Sequence, residues 1–168
     1  MKKRTSEIVK YEDHAEVILY DKYGNEKARA LIDLEDIEKV KNEDWHKTNG
    51  GYVLNSKGKQ MHRIIIDCPE NKFIDHINHN KLDNRKHNLR IVTKQQNAFN
   101  MKKPSTNTSG YKGVGFHKQR NKWRARIMVD NKDISLGLYD TIEEAIKARK
   151  QAEIDYFGEY RNKEDEED

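Results

Sequence analysis

A single cysteine, Cys68, stands in the 168 residues, so no disulfide can form within the chain and no cysteine cluster can hold zinc. The expected compartment is a reducing one. No apolar run approaches the roughly 20 residues that a helix needs to cross a bilayer. Met1-Lys2-Lys3-Arg4 leads into polar sequence, not into the apolar core of a secretion signal. These absences predict an intracellular protein with no membrane partner and no structural zinc. A Gly-rich phosphate loop is also missing, which sets aside a nucleotide-binding enzyme. Hydrophobic residues are scarce, at 34% against 37% charged. So little apolar material predicts two small cores and not one large one.

The formal charge of +4 suits a polyanionic partner. It hides an asymmetry. Residues 101–163 carry 14 Lys and Arg against 8 Asp and Glu, whereas the last five residues are all acidic. A basic region is therefore followed by an acidic tail at 162–168.

Early in the chain, residues 16–20 (EVILY) and 27–32 (KARALI) read as two strands joined by a turn through Gly24-Asn25. Asp33 is placed to cap a helix carrying Leu34, Ile37 and Val40 at helical spacing, with Trp45 packing nearby. Residues 51–55 give another strand, and 61–66 a short apolar segment that contains His62-Arg63. That pair has two readings, as contacts to substrate or within the active site, or as half-buried helix residues.

Residues 73–77 then read as a strand, 78–88 as a polar loop and 89–92 as a second strand. Thr93 with Gln96 has the spacing of a capping box, which puts Asn97 on the first turn of a helix. Asn78, Asn80 and Asn84 read as turn formers. This strand, loop, strand and helix would gather Asp75, His76 and Asn97. Asn88 follows His76 by twelve residues and precedes Asn97 by nine.

The run "DHIN, DNR, NLR, VT, N" resembles the ββα-metal motif of HNH endonucleases, especially the phage and intron homing type. The resemblance implies His76 as general base, Asp75 and Asn97 as metal ligands, and Asn88 as the Asn that orients the loop and the His. Many of these enzymes end the motif on His, so Asn97 marks an HNN variant. One weakly held divalent ion, Mg2+ or Mn2+, is then the expected cofactor. His79 stands where relatives commonly carry a glycine. The segment before the motif resembles the leader of phage HNH proteins.

Chemically, phosphodiester hydrolysis needs a base to deprotonate water and a cation to neutralise charge on the phosphate and the leaving 3′ oxygen. Histidine titrates in the useful range, and carboxylate and amide oxygens are hard ligands. The expected products carry 5′ phosphate and 3′ hydroxyl ends.

Residues 101–109 (MKKPSTNTS) lack a hydrophobic period and read as a linker. Beyond it, residues 111–117, 122–129 and 132–138 fit three strands, with Asp130-Asn131 as a tight hairpin turn. Thr141 and Glu144 form a capping box for a helix with Ala145, Ala148 and Ala152 on one face. In the middle strand Trp123, Ala125, Ile127 and Val129 point one way, and Arg124, Arg126 and Met128 the other.

"GYKGV", "KWRARI", "LGLYDT" and "EEAIKA" resemble the plant Apetala-two and ethylene-response-factor DNA-binding domain. That resemblance implies an exposed sheet face entering the major groove, with Lys112, His117, Arg124, Arg126 and Ser135 as contacts. Arg63 and Arg90, beside and within the nuclease motif, join the implied DNA contacts. A solvated sheet face is the bland reading of Arg124 and Arg126.

The sequence reading is therefore an α+β protein, a ββα-metal HNH nuclease followed by a three-stranded antiparallel sheet on one helix. Residues 1–100 hold the leader and nuclease motif (core 62–100), 101–109 the linker, 110–161 the DNA-binding part and 162–168 the tail. The expected function is metal-dependent cleavage of double-stranded DNA by a protein that is a monomer by default. The alternative is an inactive DNA-binding or regulatory protein that uses the C-terminal sheet.

Overall fold

A computed structural model describes residues 6–101, 107 and 109–162. The acidic tail past Asn162 and most of the expected linker lie outside the described residues. The fold is α+β, and the chain divides into two compact units, Met1–Thr93 and Lys94–Asp168.

The first unit opens with strands β1 (Ile8–Lys10), β2 (Ala15–Tyr20) and β3 (Glu26–Ile32), an antiparallel sheet in that order. At three residues β1 is too short to show a pattern in sequence. The β2–β3 turn forms because the Asp21 carboxylate accepts the amides of Tyr23 and Asn25 at 2.8 and 2.9 Å. A short helix α1 (Ile37–Val40) follows a single 3-10 turn.

The expected side-chain cap at Asp33 does not form. Its backbone is extended, as a cap requires, but its side chain makes no cap hydrogen bond. The carboxylate instead accepts the amide of Lys86, 53 residues away, at 2.7 Å. A tertiary partner has captured a group that local spacing assigned to the helix.

Strands β4 (Trp45–Lys47) and β5 (Val53–Asn55) form a hairpin, followed by helix α2 (Met61–Ile65). Strands β6 (Phe73–His76) and β7 (Leu89–Val92) pair antiparallel, with Asp75 opposite Arg90. One core serves all of this. Val17, Leu19 and Ile32 from the first sheet cluster with Val40, Trp45 and Met61, and with Ile74 and Leu89 of the motif strands. Trp45 is 1% exposed, and its indole N–H donates to the Val40 carbonyl at 3.0 Å. Truncating such a buried aromatic costs about 3–5 kcal/mol. The segment expected as a leader is thus continuous with the motif's own core.

The second unit holds helix α3 (Lys94–Phe99), strands β8 (Val114–His117), β9 (Lys122–Val129) and β10 (Lys132–Tyr139), and helix α4 (Ile142–Phe157). The sheet is antiparallel with β9 central. Sequence spacing puts α3 with the nuclease motif, yet it groups with the second unit. There the Phe99 ring stacks on Phe157 with centroids 3.8 Å apart.

Asp130 and Asn131 both have positive φ, as a two-residue type I′ hairpin turn requires. The Thr141–Glu144 capping box forms in both directions, at 3.2 Å each. Ala145 and Ala152 are buried on two small clusters beneath the sheet, centred on Ala125 and Ile127. The first strand starts at Val114 and not at residue 111, because Gly113 turns the chain at φ +79°. A Cβ at Gly113 would meet the Arg126 carbonyl oxygen at 2.5 Å, so only glycine fits that approach.

Candidate active site

The loop between β6 and β7 is polar, and long-range backbone bonds give it a shape. The Leu31 amide donates to Leu82, and the Asn84 amide donates back to Leu31, each at 2.8 Å. Strand β3 thereby holds residues 82–84, and Asp33, just past its end, holds Lys86. Within the loop, Asn78 Oδ1 accepts the Asn80 amide and Asn80 Oδ1 accepts the Leu82 amide, so these two act as turn formers. His79 has φ +59°, the conformation for which glycine is best suited.

Asn88 is the clasp between loop and strands. Its Oδ1 accepts the Asn78 amide at 3.0 Å, its Nδ2 donates to the Asp83 carbonyl at 2.8 Å, and its own carbonyl accepts the Ile77 amide at 2.9 Å. These bonds fix the chain immediately after His76. Asp83 is in turn clamped by Arg85, with Nε on Oδ1 and Nη2 on Oδ2, both at 2.8 Å. Burial would raise the Asp83 pKa, but the Arg85 hydrogen bonds outweigh it and hold the carboxyl below its ordinary range.

His76 ends β6 and is 4% exposed. It lies edge-on to His62, with ring centroids 5.1 Å apart, and Tyr52 tilts against both rings at 6.1 and 5.7 Å. Its Nε2 is 3.5 Å from Asn84 Oδ1. Burial pushes the His76 pKa down, against the opposing pull of Asn84, Asp75 and Asp83. That direction favours the neutral imidazole, the form a base requires. Burial, aided by the charges of His76 and Arg63, pushes His62 down to about 3.

Beside His76, Asp75 receives both Nε and Nη2 of Arg90 on Oδ2, at 2.9 and 2.8 Å. Arg90, expected at DNA, is thus in an ion pair with the candidate metal ligand. Arg63 is exposed on α2 and donates to the Lys72 carbonyl at 3.1 Å. Asn97 lies half-buried on α3, in the unit that begins at Lys94.

Among the described residues no three His, Cys, Asp or Glu gather as a metal cage. Asp75 in the first unit and Asn97 in the second each carry a hard oxygen donor, the kind of ligand that hard divalent cations take.

In the second unit, Arg124 and Arg126 are exposed on the sheet face away from α4, with Ser135 opposite Arg126 in register. Arg126 pairs with Asp133 at 2.9 Å. His117 is half-buried at the end of β8. The Lys112 ammonium donates to the carbonyls of Ala98 and Met101 at 3.1 and 3.3 Å, the C-terminal end of α3.

Sequence reasoning missed Asn84 and left His62 open. Asn84, read as a turn former, is fully buried and faces His76, and His62 is a wall of the same site. The basic pair His62-Arg63 was the one available signal for His62. Nothing local distinguishes Asn84 from its neighbours.

Residues 67–99 match the family model described as HNH endonuclease. An uncharacterized HNH endonuclease of Acanthamoeba polyphaga mimivirus is 30% identical over 139 residues, covering 78% of this chain and 72% of that one. Protein 3.8 of Escherichia phage T7 is 37% identical over 75 residues, 45% of this chain and 62% of its own length. An ethylene-responsive transcription factor of Arabidopsis thaliana is 26% identical over 140 residues, which is 68% of this chain and 31% of that protein. No solved structure matches significantly. The chain belongs to the HNH endonuclease family, and part of it is similar to plant AP2-like transcription factors.

Proposed function

We propose that this protein is a metal-dependent endonuclease that hydrolyses phosphodiester bonds in duplex DNA. The observation that carries the reading is His76, buried beside Asp75 at the end of a strand that Asn88 pins to its loop. His76 accepts a proton from the attacking water. Asn88 holds the backbone that aims it. Asp75 and Asn97 would hold one Mg2+ or Mn2+, which when bound supplies positive charge at the scissile phosphate and the leaving oxygen. The sheet of the second unit grips DNA through Lys112, His117, Arg124, Arg126 and Ser135. Residues 1–100 then cleave and 110–161 bind, joined by 101–109.

The ion pair between Arg90 and Asp75 favours a second reading, a DNA-binding protein that does not cut, because the guanidinium occupies a carboxylate oxygen that a cation would use.

Supercoiled plasmid incubated with the protein and magnesium separates the two. Nicked or linear product that disappears in His76→Ala, with DNA affinity nearly unchanged, supports cleavage, because a base acts in the chemical step and contributes little to ground-state binding. Intact plasmid bound by wild type supports the second reading.

A further inference from the structure

We propose that Arg126 and Asp133 together form a reader for one G·C base pair in the major groove, with Asp133 the residue that sets its specificity. The proposal rests on the sheet of the second unit being the DNA face.

Strands β9 and β10 bring the two side chains together. Asp133 stands opposite Met128 and Ser135 opposite Arg126, so all four project from the outward face of the sheet, where each is exposed. Arg126 Nη1 donates to Asp133 Oδ2 at 2.9 Å. Among the described residues that oxygen is the one acceptor of the guanidinium, and Asp133 Oδ1 accepts no hydrogen bond. Both side chains remain about half open to solvent, at 50% and 46%.

An ion pair this exposed adds little to folding stability. On a face that meets a polyanion, a carboxylate is also a charge of the wrong sign. Its use lies in the pattern it completes. A guanidinium only donates and a carboxylate only accepts, so Nε and Nη2 of Arg126 followed by Oδ1 of Asp133 offer donor, donor, acceptor. Across the major groove a G·C pair presents N7 and O6 as acceptors and the cytosine N4 amino group as donor, the complement of that order. An A·T pair presents acceptor, donor, acceptor, which sets adenine N6 against the guanidinium and thymine O4 against the carboxylate. Donor then faces donor and acceptor faces acceptor, and the unpaired groups oppose binding. The ion pair also orients the guanidinium before DNA arrives, so less side-chain freedom is lost in the complex.

The test is selection from a randomised duplex DNA pool by the full chain in EDTA, so that metal-dependent cleavage does not intervene. Fluorescence anisotropy on the selected duplex and its single-pair variants follows. Wild type is expected to enrich one fixed G·C position. In Asp133→Ala, binding to every duplex should tighten, because a negative charge leaves the interface, while discrimination at that position falls roughly 5-fold or more. Asp133→Asn, whose amide can turn either a donor or an acceptor to the base, should lose the same discrimination. Melting curves verify that both variants fold. A wild type that enriches no G·C position overturns the proposal, as does a variant that binds more tightly with its preferences intact, and either result leaves the sheet on DNA. Unchanged affinity together with unchanged preference in both variants overturns the proposal and the sheet as the DNA face at once.

Discussion

Asp75 and Arg90 face each other across β6 and β7, and both donors of the guanidinium edge, Nε and Nη2, converge on one carboxylate oxygen, Oδ2. The candidate metal ligand is therefore charge-compensated by its cross-strand neighbour. Arg90→Gln should lower folding stability by roughly 1.5–3 kcal/mol, the worth of hydrogen bonds to a charged group. It should also lower the magnesium concentration needed for half-maximal nicking, because the carboxylate no longer shares its charge. Urea unfolding and a magnesium titration read the two effects. An unchanged metal requirement with weakened DNA binding would instead make Arg90 a DNA contact.

Acid should destabilise the first unit through His62. Its folded pKa, about 3, lies below the unfolded value near 6.5, so the unfolded chain binds the extra proton between them. The stability that neutral His62 contributes is fully present above pH 6.5 and is lost as pH falls toward 3, at about 1.4 kcal/mol per pH unit for one proton. His62→Phe, which keeps a ring beside His76, should remove that slope from the pH dependence of urea unfolding. Equal slopes in wild type and variant would show that His62 is not buried neutral.

Arg124→Ala combined with Arg126→Ala should weaken binding to duplex DNA. Each lost phosphate contact should reduce the log-log salt slope by about 0.9. If the two arginines read bases, site discrimination falls instead, by about 1–3 kcal/mol per contact, with the slope hardly changed. Both are exposed and Arg126 is paired only across the sheet surface, so the fold should tolerate the change. Fluorescence anisotropy over a salt series distinguishes the cases, and unaltered affinity and site preference would remove this sheet face from the DNA interface.

Asn97 offers a neutral hard oxygen, so Asn97→Ala should raise the magnesium needed for cutting without stranding a charge. Asp75→Ala should be worse, since it removes the anionic ligand and leaves Arg90 without its carboxylate. Asn97→His should shift preference toward nickel, cobalt or zinc, following imidazole's affinities. Metal titrations of plasmid nicking compare the three. Wild-type metal dependence in Asn97→Ala would leave Asn97 as a helix residue and put the second ligand elsewhere.

Local patterns in the sequence determined most of the elements. The period-2 alternation of Trp123–Val129, the Asp130-Asn131 turn and the Thr141–Glu144 capping box each reappear in the structure, because residues a few positions apart enforce them. The HNH motif was legible for the same reason, being a run of short-range spacings. Tertiary structure alone decided the remainder. Asp33 leaves its helix for Lys86, strand β3 holds residues 82–84, and His62 and Asn84 close around His76. Those partners are separated by a polar loop or by whole strands, and a polar side chain carries no periodic signature of a distant partner. Folding selects among its possible hydrogen bonds by which of them survive burial, and burial is a property of the assembled core.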